Sequence, residues 1–505
     1  MILLDKIRED KLIQLAQERF NPDLWDAEKK VLHDSASSVD PVPPKPDPKP
    51  DPKPDPKPDE ERPVIRPDFL RWLATDPEAA PHIDPKGIRV YGVTLPGMLD
   101  LEGSCIPVRL DFRHCIVRGK INLEQAETRD ILFWDSSLEG KQGFRADTID
   151  VQGMLQLKGS SFSGEISLVG AKVKGDLDCR GAKLKVAEGN ALRTDGAEIG
   201  GNVFLREGFE SSGMIGMPGT QIKGNLDFSG ARIDDVDCTN LRLAGDFLWK
   251  GINKLEKSSL KKSSLKLIGA SVKNLRDDIM SWPQEGKLDL DGLVYEELTL
   301  EPQPQDAREG TRMRIEWLKL QPDRKYVRPQ PWMQLSKYLE ARGRHREAKH
   351  VLYELKCLQA HSRWSKFFLV WWLAIAFAWL EEAPGRIWRS IAVVLLLGWL
   401  VFGYAGSHNA LAPTEAEAYK TFTDKPQQPL RGTYPVLNSF VYTLENAVPL
   451  VKLGQDEKWA PDRRYQGTKW YTNYWFLMWS RWLLILSGWV QATVLAAALS
   501  GRFKP

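Results

Sequence analysis

Residues 170–184 read GAKVKGDLDCRGAKL, and the pattern in this short stretch decides the fold. A glycine is followed at alternate positions by two apolar residues, here Gly175, Leu177 and Cys179. Alternate side chains of an extended chain point to the same side, so Leu177 and Cys179 should face a core. Glycine permits the backbone conformation of a tight turn. The stretch therefore predicts a short strand bounded by turns.

The same unit recurs from about residue 66 to residue 300, with spacings close to 11 and 22 residues. Its copies begin at Gly97, Gly119, Gly153, Gly164, Gly175, Gly201, Gly224 and Gly245. A single coil of this kind buries its apolar side only against neighbouring coils. We therefore expect a β-solenoid over residues 66–300, with small residues at its corners: Ala171, Ala182, Ala197 and Ala231.

These repeats resemble the pentapeptide-repeat class of right-handed β-helices, in irregular form. The wider chain, roughly residues 66–505, resembles a bacterial family of membrane-attached repeat proteins. The matching pieces are RPDFLRWLATDPEAAPHIDPKGIRVYGVTLPGMLDLEG at 66–103, SWPQEGKLDLDG at 281–292 and PQPWMQLSKYLEARGRHREAKHVL at 329–352. The resemblance implies a multidomain chain, with a right-handed β-solenoid, a helical hairpin and a C-terminal α-helical transmembrane domain.

Members of that family are sometimes labelled oxidoreductases, and this label is the one ground for an enzymatic interpretation. The sequence has no Rossmann fingerprint, haem attachment motif or P-loop, so we predict no catalytic residue and no cofactor. His114 beside Cys115 supplies two possible ligands, which are too few for a metal site. We therefore expect packing roles for both residues.

The length and composition limit the number of domains, the kind of partner and the cellular compartment that we expect. The chain has 505 residues, which is enough for two to four domains. Its 70 basic and 67 acidic residues give a net charge of +3, and no basic patch interleaved with aromatic residues is present. We therefore expect no nucleic-acid partner. The five cysteines are widely spread, which favours a reducing compartment over a disulfide framework.

Two segments flank the repeats with different patterns. Residues 1–36 have the apolar spacing of an amphipathic helix, and residues 37–65 contain PVPPKPDPKPDPKPDPKPDEERP. Proline at alternate positions excludes helix and sheet, so 37–65 is predicted to be a polyproline II linker, with an SH3-type ligand as the alternative. After the repeats, residues 301–363 are predicted to form a helical hairpin that connects the solenoid to the membrane.

Residues 364–505 are predicted to form a membrane domain. The 19 tryptophans of the chain concentrate after residue 360, and tryptophan favours the headgroup layer of a bilayer. The predicted membrane-interface residues are Trp364, Trp371, Trp372, Trp379, Trp388, Arg389 and Trp482.

Four segments are predicted within this domain. Residues 367–380 are apolar but shorter than the ~20 residues of a span, so an interfacial helix is expected there. Residues 387–405 and 482–501 are the two predicted spans, and an amphipathic helix is expected at 435–448. Basic residues crowd the chain before residue 367 and at its end, which predicts that the solenoid and both termini are cytoplasmic. The resemblance to a bacterial family implies that the membrane is the bacterial inner membrane.

Residues 437–455, LNSFVYTLENAVPLVKLGQ, lie between the two predicted spans. An amphipathic helix followed by proline and glycine resembles the skeleton of a pore-loop channel. The candidate pore-like residues are Asn438, Tyr442, Glu445, Pro449, Lys452, Gly454 and Gln491. In that arrangement Gln491 would face the lumen or a neighbour, although Lys452 would repel cations. The alternative is an amphipathic segment that packs across the two spans of an anchor.

The sequence thus predicts a membrane-anchored cytoplasmic scaffold that binds or senses a protein or small ligand on its solenoid. Its expected partners are the lipid bilayer and further copies of itself, as a symmetric tetramer if the domain conducts ions. The first alternative is a gated ion channel or a membrane-perforating effector of stress response or phage defence. The second is a membrane-associated oxidoreductase, implied by the family label.

Overall fold

The computed structural model describes residues 2–20, 24–39, 62–141, 143–186, 188–252, 264–322, 327–364, 387–424, 430, 432, 434–448, 451–464 and 473–499. The chain divides into two compact units, Met1–Leu352 and Tyr353–Pro505. Most of the predicted linker (residues 40–61) and the whole predicted interfacial helix at 367–380 lie outside the described residues, so both stay predictions.

Residues 88–301 form a parallel β-solenoid of about nine turns, which confirms the solenoid predicted from the glycine-apolar repeat. Its predicted start at residue 66 was too early, because Pro67–Thr75 is a helix. Each of the first six coils has four short strands. In chain order they are β1 (Ile88–Tyr91), β2 (Thr94–Leu95), β3 (Leu99–Asp100), β4 (Cys105–Ile106), β5 (Leu110–Arg113), β6 (Ile116–Val117), β7 (Ile121–Asn122), β8 (Glu127–Thr128), β9 (Ile131–Trp134), β10 (Ser137–Leu138), β11 (Phe144–Arg145), β12 (Asp150–Val151), β13 (Leu155–Gln156), β14 (Ser161–Phe162), β15 (Ile166–Ser167), β16 (Lys172–Val173), β17 (Leu177–Asp178), β18 (Lys183–Leu184), β19 (Asn190–Arg193), β20 (Glu198–Ile199), β21 (Val203–Phe204), β22 (Glu210–Ser211), β23 (Met214–Gly216) and β24 (Gln221–Ile222).

The last coils keep the parallel strand pairing, but in them a single long strand runs along two sides of the solenoid. Their strands are β25 (Leu226–Asp227), β26 (Arg232–Ile233), β27 (Asp235–Asp237), β28 (Arg242–Trp249), β29 (Ser264–Lys266), β30 (Ser271–Asp278), β31 (Leu288–Asp289) and β32 (Val294–Glu301). The long strand β28 pairs with β24 through its first residues and with β25 through its last. It therefore continues round one corner and joins two sides of the solenoid into one sheet.

The register explains the repeat spacings. Leu155 of one coil pairs with Leu177 of the next, so a full turn at this point takes 22 residues. The copies at Gly153, Gly164 and Gly175 are 11 residues apart because half a coil separates them. Leu177 and Cys179 are both buried, as the alternation predicts.

One corner of the solenoid requires glycine and a short polar residue together. A Cβ on Gly175 would lie 2.7 Å from the carbonyl oxygen of Gly153 in the preceding coil, so no side chain fits there. The next residue, Asp176, accepts a 2.6 Å hydrogen bond from the N–H of Asn202, and Asn202 Oδ1 in turn accepts from the N–H of Asn225 at 2.9 Å. This ladder satisfies backbone donors that the turn leaves unpaired.

The N-terminal stretch forms two helices where the sequence predicted one. They are α1 (Ile2–Phe20) and α2 (Asp26–Ala36), followed by α3 (Pro67–Thr75) and a 3-10 turn, Ala80–His82. A new helix begins after Trp25 because the Glu28 side chain reaches back to accept its N–H at 3.1 Å. Glu28 is fully buried and also binds Arg66 at 2.7 Å, so α2 is fixed to the start of α3.

Helices also follow the last coil: the 3-10 turn Ile279–Ser281 precedes β31, and α4 (Ala307–Lys319), α5 (Gln330–Ala341) and α6 (His345–Trp364) come after β32. Three side chains of α5, four residues apart, donate to backbone carbonyls of β32 and of Leu293, the residue before it. Gln330 donates to Leu293 O at 3.0 Å, Gln334 to Tyr295 O at 3.1 Å and Tyr338 to Leu298 O at 3.1 Å. Helix α5 thus covers the edge strand that would otherwise be free to pair with another chain.

The unit Tyr353–Pro505 contains α7 (Ile387–Ser407), β33 (Leu411–Pro413), α8 (Ala416–Asp424), α9 (Ser439–Ala447), α10 (Gln455–Lys458), β34 (Trp459–Pro461) and α11 (Tyr474–Leu499). Among the described residues, one helix, Arg389–Ser407, is long and apolar enough to cross a membrane, with a mean hydropathy of 1.9. It coincides with the first predicted span. The second predicted span, 482–501, begins within α11 and runs past its last residue.

Candidate functional site

Helix α9 packs between α7 and α11, and glycines make the approach close. A Cβ added at Gly398 of α7 would lie 2.6 Å from Cγ2 of Thr443. One added at Gly488 of α11 would lie 1.8 Å from the carbonyl oxygen of Ala447. Glycine at these two positions therefore lets three backbones meet. The buried apolar side chains among the helices are Phe402, Ala405, Tyr442, Ala447, Leu477 and Leu484.

Asn438 fixes where α9 begins, which is why the helix is shorter than the predicted 435–448. Its Oδ1 accepts the N–H groups of Phe440 and Val441, each at 3.1 Å, as an N-cap residue does. The Asn438 N–H donates to Gln455 Oε1 at 3.1 Å, and Gln455 Nε2 donates to Val436 O at 3.1 Å. The start of α9 is thereby tied to the start of α10.

Glu445, near the end of α9, organises the chain that follows. Its two carboxylate oxygens accept four backbone N–H groups: Leu453 at 2.7 Å, Gly454 at 2.8 Å, Gln455 at 2.7 Å and Asp456 at 3.0 Å. The residue is buried. A carboxylate with four donors has no lone pair left for a cation, so its role is to shape the loop.

The electrostatics of this carboxylate follow from its donors. Burial opposes ionisation of Glu445, but the four N–H groups outweigh it and lower its pKa below the ordinary value. Burial and the adjacent Glu445 carboxylate raise the pKa of Asp456. Of the two carboxyl groups, Glu445 is therefore the one that ionises at the lower pH.

Arg481, a residue that the sequence analysis missed, supports the same loop from α11. Its Nε donates to Asn446 Oδ1 at 2.8 Å, and its Nη2 donates to the Asp456 carbonyl at 3.3 Å. The signal was present, because Arg481 is the one charged residue in α11. A charge inside an apolar helix usually marks a functional contact.

The other predicted pore-like residues divide into buried and exposed groups. Tyr442 is fully buried, with its ring 5.1 Å from that of Phe402, so it faces the helix core. Gln491, which was predicted to face a lumen or a neighbour, donates to Ser390 Oγ of α7 at 3.2 Å. Lys452 is exposed, and Gly454 has a φ of 82°, which favours glycine. Pro449 lies outside the described residues.

Two of the predicted interface residues have described side chains, and both are exposed: Arg389 at the start of the apolar part of α7, and Trp482 of α11. Trp364 and Trp388 lie in α6 and α7, with side chains outside the described set. Trp371, Trp372 and Trp379 lie wholly outside the described residues, so their interfacial role stays a prediction.

On the solenoid, strands β12, β16, β20, β24 and β28 line a shallow groove with a volume of about 600 Å³. The hollow exists because small residues, Gly200 and Ala244, occupy positions where the neighbouring coils carry lysine. Four basic side chains surround it, against two carboxylates: Lys172, Lys174, Lys223 and Arg242, with Asp150 and Glu198. The groove therefore has a positive balance.

Within the described residues, no group of three or more histidine, cysteine or acidic side chains is placed to hold a metal. His114 is exposed, whereas Cys115 is buried with its thiol near Val90 O at 3.4 Å. The two residues therefore do not form a shared site. In comparisons with known proteins, no family model, curated protein or solved structure matches the chain.

Proposed function

We propose that the protein is a membrane-anchored binding scaffold of the bacterial inner membrane, with a pentapeptide-repeat-like solenoid in the cytoplasm. Large apolar side chains exposed on two helices carry the proposal. On α7 they are Val393, Leu396, Leu397, Trp399 and Leu400, and on α11 they are Trp475, Trp479, Trp482, Leu483, Leu486, Trp489 and Val490. Exposed apolar side chains in this number mark a contact with a membrane or another protein.

A bilayer suits this surface better than water for two reasons. The apolar part of α7, Arg389–Ser407, has 19 residues, close to the length that crosses a hydrocarbon core. Polar side chains between α7 and α11 pair with each other, as Gln491 does with Ser390, and leave the outer flanks apolar. Paired polar groups inside and apolar groups outside are the arrangement that lipid requires.

Membrane extraction tests the anchor. We expect the full chain to stay with membranes during an alkaline carbonate wash. A Leu396→Arg, Leu400→Arg double variant places charge on the exposed flank and should increase release several-fold. The control, Leu396→Ile with Leu400→Ile, keeps the flank apolar and should behave like the wild type. Complete release of the wild-type chain would refute the anchor.

The solenoid groove is the binding surface in this proposal, and its occupant is an acidic segment of a partner protein. Several arginines elsewhere on the solenoid have ion-pair partners, as Arg180 has Asp178 at 2.6 Å and Arg206 has Asp227 at 3.1 Å. Lys174 and Lys223 at the groove have no ion pair within the described residues. Lys174 Nζ donates to the neutral side chain of Gln152, so neither lysine charge is balanced by a carboxylate, and cations without an ion pair around a hollow favour a negatively charged partner.

Charge reversal tests the groove, with an oligo-glutamate peptide as the probe. Lys174→Glu with Lys223→Glu should abolish salt-sensitive peptide binding to the full chain. Lys183→Glu with Lys185→Glu makes the same charge change at exposed positions on another side and should leave binding intact. If both variants lost peptide binding equally, the change in net charge alone would explain the loss. That result would overturn the assignment of the groove as the binding surface.

A second candidate function, an ion pore, is favoured by the loop that Glu445 organises. The N–H groups of residues 453–456 converge on this carboxylate, which holds the loop after α9 in one conformation, and fixed loops whose backbone carbonyls ring a pore form selectivity filters. A pore needs several copies around an axis. The test is cation flux from liposomes that carry the protein. A flux that Glu445→Gln alters and Glu417→Gln on α8 leaves unchanged would support the pore. No flux from liposomes carrying verified oligomers would exclude it.

A further inference from the structure

One row of exposed residues runs along the groove side of the solenoid, with one member in each of several consecutive coils. In coil order its members are Arg129, Gln152, Lys174, Gly200, Lys223, Ala244 and Lys273. Basic and uncharged residues alternate along the whole row. The basic members, which we call the cationic row, are Arg129, Lys174, Lys223 and Lys273.

The strand register stacks these residues one above another. Val173 pairs with Val151 of the preceding coil and with Ile199 of the next, and the residue after each of these three belongs to the row. The same register runs from Thr128 of β8 to Val272 of β30. Neighbouring strands lie ~4.8 Å apart, so the basic members, which are two coils apart, recur every ~9.6 Å. Because the coils differ in length, the linear sequence does not show this regularity.

The charges of the cationic row are not balanced by ion pairs. Lys174 Nζ donates to the neutral side chain of Gln152, and within the described residues no carboxylate forms a salt bridge with any of the four cations. Another side of the solenoid differs, because Arg113 there donates to both oxygens of Asp111, at 2.8 Å and 2.7 Å. The cationic row is therefore free to attract negative charge from outside the chain.

The neighbouring row of the same coils does not cancel this charge. Its members are Glu127, Asp150, Lys172, Glu198, Gln221, Arg242 and Ser271. Three carboxylates and two cations leave that row with one negative charge, against four positive charges on the cationic row. Gln152 Nε2 donates to Glu127 Oε1 at 3.3 Å and to Asp150 Oδ1 at 3.1 Å, so two of the carboxylates bind an amide of the intervening coil.

The spacing of the cationic row matches the polyproline II conformation. That helix has three residues per turn and rises ~3.1 Å per residue, so every third side chain lies on one edge, ~9.3 Å from the last. Over the full row the two repeats differ by only ~1 Å in ~29 Å. In an extended strand the side chains on one side recur every ~6.6 Å, which does not match. In an α-helix, two turns rise ~10.8 Å, so the mismatch grows by ~1.2 Å at each step.

The small members of the row leave room for the backbone of such a segment. A Cβ on Gly200 would lie 2.3 Å from the carbonyl oxygen of Lys174, so the gap between Lys174 and Lys223 stays open. Ala244 leaves the next gap. The chain's own predicted polyproline II linker lacks the required pattern, since its aspartates recur every four residues with lysines between them. The segment therefore belongs to a separate protein.

We propose that the cationic row binds a polyproline II segment of a partner protein that carries an acidic residue at every third position and lies along the solenoid axis. The inference rests on the proposed function of the groove and names the conformation and charge pattern of its acidic partner. A polyproline II segment is already ordered before it binds, so it loses little conformational entropy on the rigid solenoid.

Two peptides of equal composition test the pattern against the purified full chain. One has four Glu-Pro-Pro units, and the other has four consecutive glutamates followed by eight prolines. The spaced peptide should bind several-fold more tightly, measured by fluorescence anisotropy. Equal binding, tighter binding of the clustered peptide, or binding of oligo-glutamate alone would overturn the spacing and leave the groove as an acidic-peptide site. Binding of none of the three would contradict the groove function itself.

A variant of the outer cations gives a second test. Arg129→Gln with Lys273→Gln changes two exposed residues that do not line the groove, and it should weaken binding of the spaced peptide several-fold. The clustered peptide should bind as before, because its four charges span only ~9.3 Å and reach two neighbouring cations. Lys183→Gln with Lys185→Gln removes the same charge elsewhere and serves as the control. If the control weakened the spaced peptide equally, or if the outer variant had no effect, the cationic row would be refuted.

Discussion

The Oε1 atom of Glu445 accepts a 2.8 Å hydrogen bond from the N–H of Gly454, nine residues further along the chain. This contact, with three like it, makes a single carboxylate the organising group of the loop between α9 and α10. Glu445→Gln should therefore destabilise that loop by ~1–3 kcal/mol, because a neutral amide cannot accept all four donors equally well. Protease cleavage between residues 448 and 456 should accelerate, while the exposed control Glu417→Gln should match the wild type.

The same carboxylate predicts a direction of pH dependence. Because the folded pKa of Glu445 lies below its unfolded value of about 4.3, its contribution is fully present above that pH. The contribution is lost as the pH falls through the lowered folded pKa. Cleavage of the wild-type loop should thus accelerate in acid, measured with an acid-active protease. An acid-induced acceleration of equal size in Glu445→Gln would show that another group titrates.

The glycine corner predicts which glycines tolerate alanine. Gly175→Ala should destabilise the solenoid by ~1–3 kcal/mol, because its Cβ would lie 2.7 Å from the backbone oxygen of Gly153. Gly97→Ala is the matched control from the first copy of the repeat, where the nearest atom is Pro67 Cγ at 3.7 Å. Thermal unfolding of both variants measures the difference. Equal melting temperatures would contradict the corner geometry.

The contacts of α5 predict the effect of uncovering β32. Gln330→Leu with Gln334→Leu removes side chains that bind the backbone of β32 and of Leu293 just before it, so the solenoid should aggregate faster. Lys337→Leu adds an apolar residue at an exposed position of the same helix and serves as the control. Light scattering during mild heating follows both. If the control aggregated faster than the double variant, added surface apolarity alone would explain the aggregation. That result would contradict the role of α5 in covering β32.

The cysteines should differ sharply in reactivity. Burial raises the pKa of the Cys115 thiol to about 11 and also raises the pKa of Cys179 and Cys238. Cys105 is exposed. Maleimide should label Cys105 within minutes in the native chain and reach the three buried thiols only after unfolding. Native labelling of Cys179 would show that the solenoid core is open.

Much of the solenoid could be predicted from the sequence because its signal is local and repeated. Each copy, such as Gly175-Leu177-Cys179, predicts where the turn lies and which side chains face the core. The stacking of the coils follows from these positions. The partnership of Glu445 with residues 453–456 could not be predicted, since it depends on the path of the loop and on backbone donors that no side-chain pattern reveals. Arg481 was within reach, because a lone charge in an apolar helix requires a partner.

Cys105 provides the most direct test of the central claim, a solenoid held at the cytoplasmic face of a membrane. In cells that carry a Cys357→Ser variant, a membrane-impermeant maleimide should leave Cys105 unlabelled in intact spheroplasts. It should label Cys105 in inside-out vesicles after a carbonate wash. Labelling in intact spheroplasts, or loss of the protein to the wash, would contradict the account.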